Sequence, residues 1–173
     1  MGSFYRHNIG ININPPPAPE TQIGINSSPF PLLLMGLNLP VVISTASLYL
    51  ENPNFNKALA SSITILAHLD TGATKTSIDI GLAKHLNLTP TGSLQSTTAA
   101  GLITMPTFAI DLQFPNTSLK SFINLSIGSC NLNFDITGNL NEPKNFAILI
   151  GRDILSYWNI VWNGPTSTVL IND

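Results

Sequence analysis

From Pro31 onward, apolar runs are repeatedly cut short by Pro, Gly, Asn and Ser, and this punctuation is what most restricts how the chain can fold. The runs are Leu37–Ser44, Ile63–Leu69, Thr104–Leu112, Ser121–Ile127, Ala147–Ile150, Asn159–Trp162 and Thr168–Ile171. All are of strand length, which predicts an all-β domain. Apolar residues fall at alternate positions in Phe108–Leu112 and in Phe122–Ile127, the pattern of half-buried strands at a sheet edge or in hairpin arms. Two stretches read as short helices. Ser77–Leu86 carries Ile78, Leu82 and Leu86 at helical spacing and ends near Asn87 before Pro90, and Arg152–Trp158 follows Gly151.

A chain of 173 residues buries one core well, so one domain is expected. Residues 1–28 hold Pro15, Pro16, Pro17 and Pro19 among Asn, Gly and Ser and read as an extended or disordered arm. Residues 29–173 read as the folded domain. Charged residues make up 9% of the chain, the net charge is -2 and no Lys/Arg cluster exists, which argues against a nucleic-acid partner. The apolar stretch from Pro29 to Ile43 is interrupted by Pro31 and Pro40, so no membrane span is expected. Met1–Asn14 lacks the pattern of a signal peptide, and Cys130 has no second cysteine to pair with. Both point to a reducing, cytoplasmic setting. Sequons at Asn26, Asn87, Asn116 and Asn124 are what an Asn- and Ser/Thr-rich chain produces by chance. No His/Cys/Asp/Glu grouping has metal-ligand spacing, and neither a metal nor another cofactor is expected.

Chemistry concentrates in Leu66-Ala67-His68-Leu69-Asp70-Thr71-Gly72-Ala73-Thr74, an apolar strand running straight into Asp-Thr-Gly. Taken alone, the tripeptide is equally a tight turn, because Asp and Thr bond nearby backbone and Gly accepts a positive φ. A second segment, Ile148-Leu149-Ile150-Gly151-Arg152-Asp153-Ile154-Leu155, lies some eighty residues on. Between them, Ser93–Leu112 has the composition of a hairpin whose tip is Ala99-Ala100-Gly101. In order and spacing, these three segments resemble the retropepsin-like family of aspartic proteases over roughly Leu39 to Asp173.

The resemblance implies a single-domain, closed β-barrel of acid-protease type with one or two short helices, assembled as a two-fold symmetric homodimer. It implies an aspartic endopeptidase in which Asp70 of one subunit is general base toward water and Asp70 of the other is general acid toward the peptide carbonyl. Paired carboxylates suit this chemistry because both cannot ionise cheaply and one proton is shared. With one Asp-Thr-Gly per chain, the pair demands two chains. By the same resemblance Thr71 would turn toward the partner loop, Gly72 would admit substrate backbone and Ala73 would pack beneath. Thr74, Ala99, Ala100, Gly101 and Leu102 would meet an extended peptide or protein substrate under a flap. Ile150, Gly151, Arg152 and Asp153 would form the closing strand and helix, and Val161-Trp162 with Val169–Ile171 would lie near a subunit interface.

Departures from the family are specific. Thr74 and Lys75 stand where an acidic residue usually follows, so Arg152 must find another partner, and the flap tip holds the single glycine Gly101. Glu51–Ser61 reads as an insertion without an assigned role. Asp135-Ile136-Thr137-Gly138 approximates a second Asp-Thr-Gly but carries an extra residue. His68, two residues before Asp70, points to the same face and is either a modulator of that carboxyl or, as favoured here, a strand residue with a satisfied ring. Trp158, Trp162 and Tyr157 read as core or dimer-contact aromatics. A catalytically silent dimerisation or peptide-binding module is the alternative to an enzyme. A β-sandwich adhesion domain would leave Ile148–Leu155 unexplained.

Overall fold

The computed structural model describes residues 21–24, 36–98, 101–142, 144–163 and 168–173. In chain order the elements are β1 (Thr21–Gly24), β2 (Asn38–Thr45), α1 (Ser47–Leu50), β3 (Ser62–Leu69), β4 (Ser77–Asp79), α2 (Ile80–His85), β5 (Pro90–Thr98), β6 (Gly101–Gln113), β7 (Phe122–Cys130), β8 (Ile148–Ile150), α3 (Arg152–Leu155), β9 (Asn159–Asn163) and β10 (Thr168–Asn172). The expected all-β class with short helices is what forms.

Six strands close a barrel in the order β2-β3-β8-β4-β7-β6, with β6 returning to β2. Leu39, Val41 and Ile43 of β2 alternate inward against Ile65 and Ala67 of β3, all at 2% exposure or less. Each large aliphatic side chain so buried contributes about 1.5–3 kcal/mol. Pro40 is tolerated inside β2 because the β2–β6 pairing begins only at Val42, leaving its missing N–H without consequence on that side. A second sheet, β1-β10-β9, has β10 at its centre and sends Val169 and Ile171 into the same core.

Thr21–Gly24, in the stretch read as an extended or disordered arm, is an extended strand paired antiparallel with Thr168–Ile171. Other sequence expectations are corrected. Ser77–Leu86 is not one helix. Ser77–Asp79 is a buried strand between β7 and β8, and the helix begins at Ile80 because Asp79 caps it, accepting from the Gly81 and Leu82 amides. The helix ends where Asn87 adopts φ 52°. Phe108–Leu112 is not an edge. It is paired on one side with β7 and, from Ile110, on the other with β2, and all five residues are buried. The alternation in Phe122–Ile127 breaks at Asn124, whose φ of 54° and shifted register leave Ile123 exposed. Glu51–Ser61 forms turns and a 3-10 helix at Lys57–Leu59, largely exposed. Arg152–Trp158 is helical only to Leu155, and the aromatics divide: Trp158 is buried edge-on to Phe114, whereas Tyr157 and Trp162 are exposed.

Candidate active site

Leu69 ends β3 and delivers Asp70 to a loop beside β8. The two strands run parallel with Leu69 opposite Ile150, and the Asp70 amide donates to the Ile150 carbonyl at 3.0 Å. Asp70 Oδ1 accepts from the Gly72 amide at 2.7 Å and the Ala73 amide at 3.2 Å. This fixes the carboxylate against its own loop, while Oδ2 accepts no hydrogen bond among the described residues. A Cβ on Gly72 would stand 3.0 Å from Oδ1, so a glycine keeps the carboxylate unobstructed. Thr71 and Gly72 are exposed, and the Thr71 hydroxyl makes no hydrogen bond among the described residues. The tight-turn reading of Asp-Thr-Gly is therefore true of its backbone without accounting for the free carboxylate oxygen.

The second predicted segment braces this loop residue by residue. The Arg152 amide donates to the Ala73 carbonyl at 2.9 Å. The Gly151 amide donates to Thr76 Oγ1 at 3.1 Å, and Asp153 Oδ1 accepts from the Thr76 amide at 2.8 Å and the Thr76 hydroxyl at 2.7 Å. Arg152 reaches the Thr71 carbonyl through Nη1 at 3.3 Å and Thr74 Oγ1 through Nη2 at 2.8 Å. Lys75 pairs with Asp153 Oδ2 at 3.2 Å. Ile150 and Gly151 are buried, and the whole arrangement holds residues 70–76 between β8 and α3.

A cleft of about 850 Å³ opens between Gly72–Lys75 and the β5–β6 hairpin, which contributes Leu94, Gln95, Ile103 and Met105. The hairpin expected within Ser93–Leu112 is formed by β5 and β6. It is in register from Thr98↔Gly101 down to Gly92↔Thr107, and Gly101 takes φ 112°, which a glycine accommodates. Leu102 is 66% exposed beside it. Ala99 and Ala100 lie outside the described residues. Ser77, Cys130, Asn131 and Leu149 also line the cleft.

Sequence reasoning missed these wall residues and Thr76. Their side chains meet the loop only through long-range pairing, and one sequence carries no signal for that.

His68 is satisfied by its surroundings. Its Nδ1 lies 2.8 Å from Asn38 Oδ1 and its ring stacks on Phe146 at 4.8 Å. Burial holds its pKa below the usual value, partly opposed by the Asp70 carboxylate. Burial also pushes the Cys130 thiol up to about 11, with Asp79 adding to the effect. Other carboxylates serve the fold. Asp79 caps α2 and also accepts from the Leu132 amide, and Asp111 ties α1 to β7 through the Ser47 and Asn124 amides. Asp135 is folded onto Thr137 in an exposed turn, unlike Asp70 in setting. Among the described residues no group of three His, Cys, Asp or Glu could hold a metal ion, and no helix is long and apolar enough to cross a membrane.

No protein-family model matches the chain, and no curated protein does. Among solved structures it is similar to a retropepsin-like aspartic protease from Rickettsia conorii, at 13% identity and TM-score 0.46 over 88% of this chain and 90% of that one. It is also similar to the simian foamy virus protease, at 12% identity and TM-score 0.38 over 70% and 93%. A Legionella pneumophila protein of unknown function aligns at 17% identity and TM-score 0.29 over 54% and 74%.

Proposed function

We propose that the chain is an aspartic endopeptidase acting as a two-fold symmetric homodimer, with Asp70 of each subunit in a shared site. One observation carries the reading: a carboxylate held by two loop amides on one oxygen and, among the described residues, unbonded on the other, next to a cleft lined by a hairpin. Among the described residues the cleft lining includes Gly72 and not Asp70. A second loop across a two-fold axis would continue the cleft, bring the carboxyls together and cover Thr71 and Gly72. Val161 and Trp162, 45% and 52% exposed on the terminal sheet, suit such a contact.

In that dimer one Asp70 is ionised and the other protonated, the general rule for the aspartic protease pair. The ionised carboxylate takes a proton from water as its oxygen attacks the scissile carbonyl carbon. The protonated carboxyl donates to the carbonyl oxygen, giving a neutral gem-diol. Collapse breaks the C–N bond: the proton taken from water passes to the leaving nitrogen, and the other carboxylate takes back a gem-diol hydroxyl proton, which yields the acid product and restores the shared proton. The peptide lies extended beneath the hairpin, hydrogen-bonded as an added strand.

Incubation of a diverse peptide pool with wild type and with Asp70→Asn tests the reading. Cutting by wild type alone, with specific activity rising with protein concentration, is expected. A correctly folded, dimeric wild type that cuts nothing would favour the silent binding module.

A further inference from the structure

We propose that the cleft selects peptides bearing an acidic side chain away from the scissile bond, received by Lys75. This rests on the reading of the cleft as a peptide site. Of the described residues that line it, Lys75 is the only one charged at neutral pH, and none is Asp or Glu. Apolar Leu94, Ile103, Met105 and Leu149 make much of the remaining wall.

In the proposed dimer, with one proton on the Asp70 pair, the Lys75 and Arg152 charges outnumber those of Asp153 and Asp70 by one, although the whole chain carries -2. Lys75 and Arg152 both attach to the 71–75 loop, and Asp153 is the one carboxylate paired with either among the described residues. Arg152 is satisfied by a carbonyl and a hydroxyl, so its charge is not cancelled. Asp153 is itself divided, giving Oδ1 to Thr76 and only Oδ2 to Lys75. The Lys75 side chain stays 39% exposed, and an ammonium has three donors, so it can take a second carboxylate at the cleft wall.

Position along the peptide follows from the same charges. The Asp70 pair, holding one proton, repels an acidic side chain at the scissile bond itself. Lys75 lines the cleft and Asp70 does not, so the ammonium meets a part of the peptide away from the Asp70 pair. Alternate side chains of an extended peptide face the same wall, so an acidic residue next to an apolar one would put each on its own surface. Two-fold symmetry repeats the arrangement on the other side of the scissile bond.

The test is binding, independent of turnover. Fluorescent peptide pools with Glu, Gln or Lys fixed at one position and apolar-rich elsewhere are titrated into Asp70→Asn and into Asp70→Asn combined with Lys75→Gln or Lys75→Arg. The Glu pool should bind about fivefold more tightly than the Gln pool, with Lys weakest. Lys75→Gln should abolish the difference and Lys75→Arg should keep it. Equal or undetectable binding of all pools, or a Glu preference that survives Lys75→Gln, overturns the proposal. Cleavage of the same pools by wild type judges the endopeptidase reading separately, since the binding preference does not require Asp70 to act.

Discussion

Gly151 lies so close to Lys75 that a Cβ on it would stand 2.6 Å from the Lys75 carbonyl carbon and 2.8 Å from the Thr76 nitrogen. Both contacts are backbone, so no side chain can swing away, and the φ of -89° rules out a conformational reason for the glycine. Gly151→Ala must push α3 from the Asp70 loop. It should cost about 1–3 kcal/mol or more in urea unfolding, and activity should fall further than stability does. An alanine variant as stable and active as wild type would contradict the bracing described here.

Thr76 is fully buried, and its hydroxyl both donates to Asp153 and accepts from the Gly151 amide. Thr76→Val keeps the shape and removes both bonds, leaving a buried N–H without its partner. A loss of about 1–3 kcal/mol is expected, while Thr76→Ser should recover most of it. Chemical denaturation of the three proteins measures this directly.

His68 gives a pH dependence whose sign is fixed. Its folded pKa lies below that of an unfolded histidine, about 6.5, so in the window beneath that value the unfolded chain binds more protons. The stability it contributes is complete above about pH 6.5 and is lost as pH falls through the folded value. His68→Gln should therefore show a smaller drop in urea midpoint between pH 7 and pH 5 than wild type. Parallel drops would assign the acid sensitivity to other groups.

Cys130, with its thiol at about 11, should resist alkylation. At pH 8 its reaction with iodoacetamide should be roughly a hundredfold or more slower than that of an exposed thiol, and the rate should keep rising beyond pH 9. Because Cys130 lines the cleft, a bound peptide should slow it further. Mass spectrometry of the labelled chain follows both effects.

Five of the six barrel strands were legible because each carries a short apolar run closed by a turn residue. The hairpin was legible because Gly101 marks its tip, and the loop because Asp-Thr-Gly follows an apolar strand. What was hidden depends on pairing between distant segments. Ser77–Asp79 has helical spacing with Leu82, yet it is recruited as a strand by Gly128–Cys130 and Ile148–Leu149. Asp111 falls at a nominally polar position and is buried because β2 and β7 flank β6 on both sides. The partners of Arg152 could be foretold only negatively, from the missing acidic residue. Its bonds to Thr71 and Thr74 required the loop to be folded.

The central claim is that two chains share one site through Asp70. It is tested most directly by adding Asp70→Asn protein to a fixed amount of wild type at concentrations where dimers form, with heterodimer formation verified by native mass spectrometry. Random exchange with an equal amount of variant leaves about half the original wild-type homodimers, so activity should fall to about half and decline further as variant is added. Activity unchanged while heterodimers are present would mean that one Asp70 suffices, and would contradict the shared-site account.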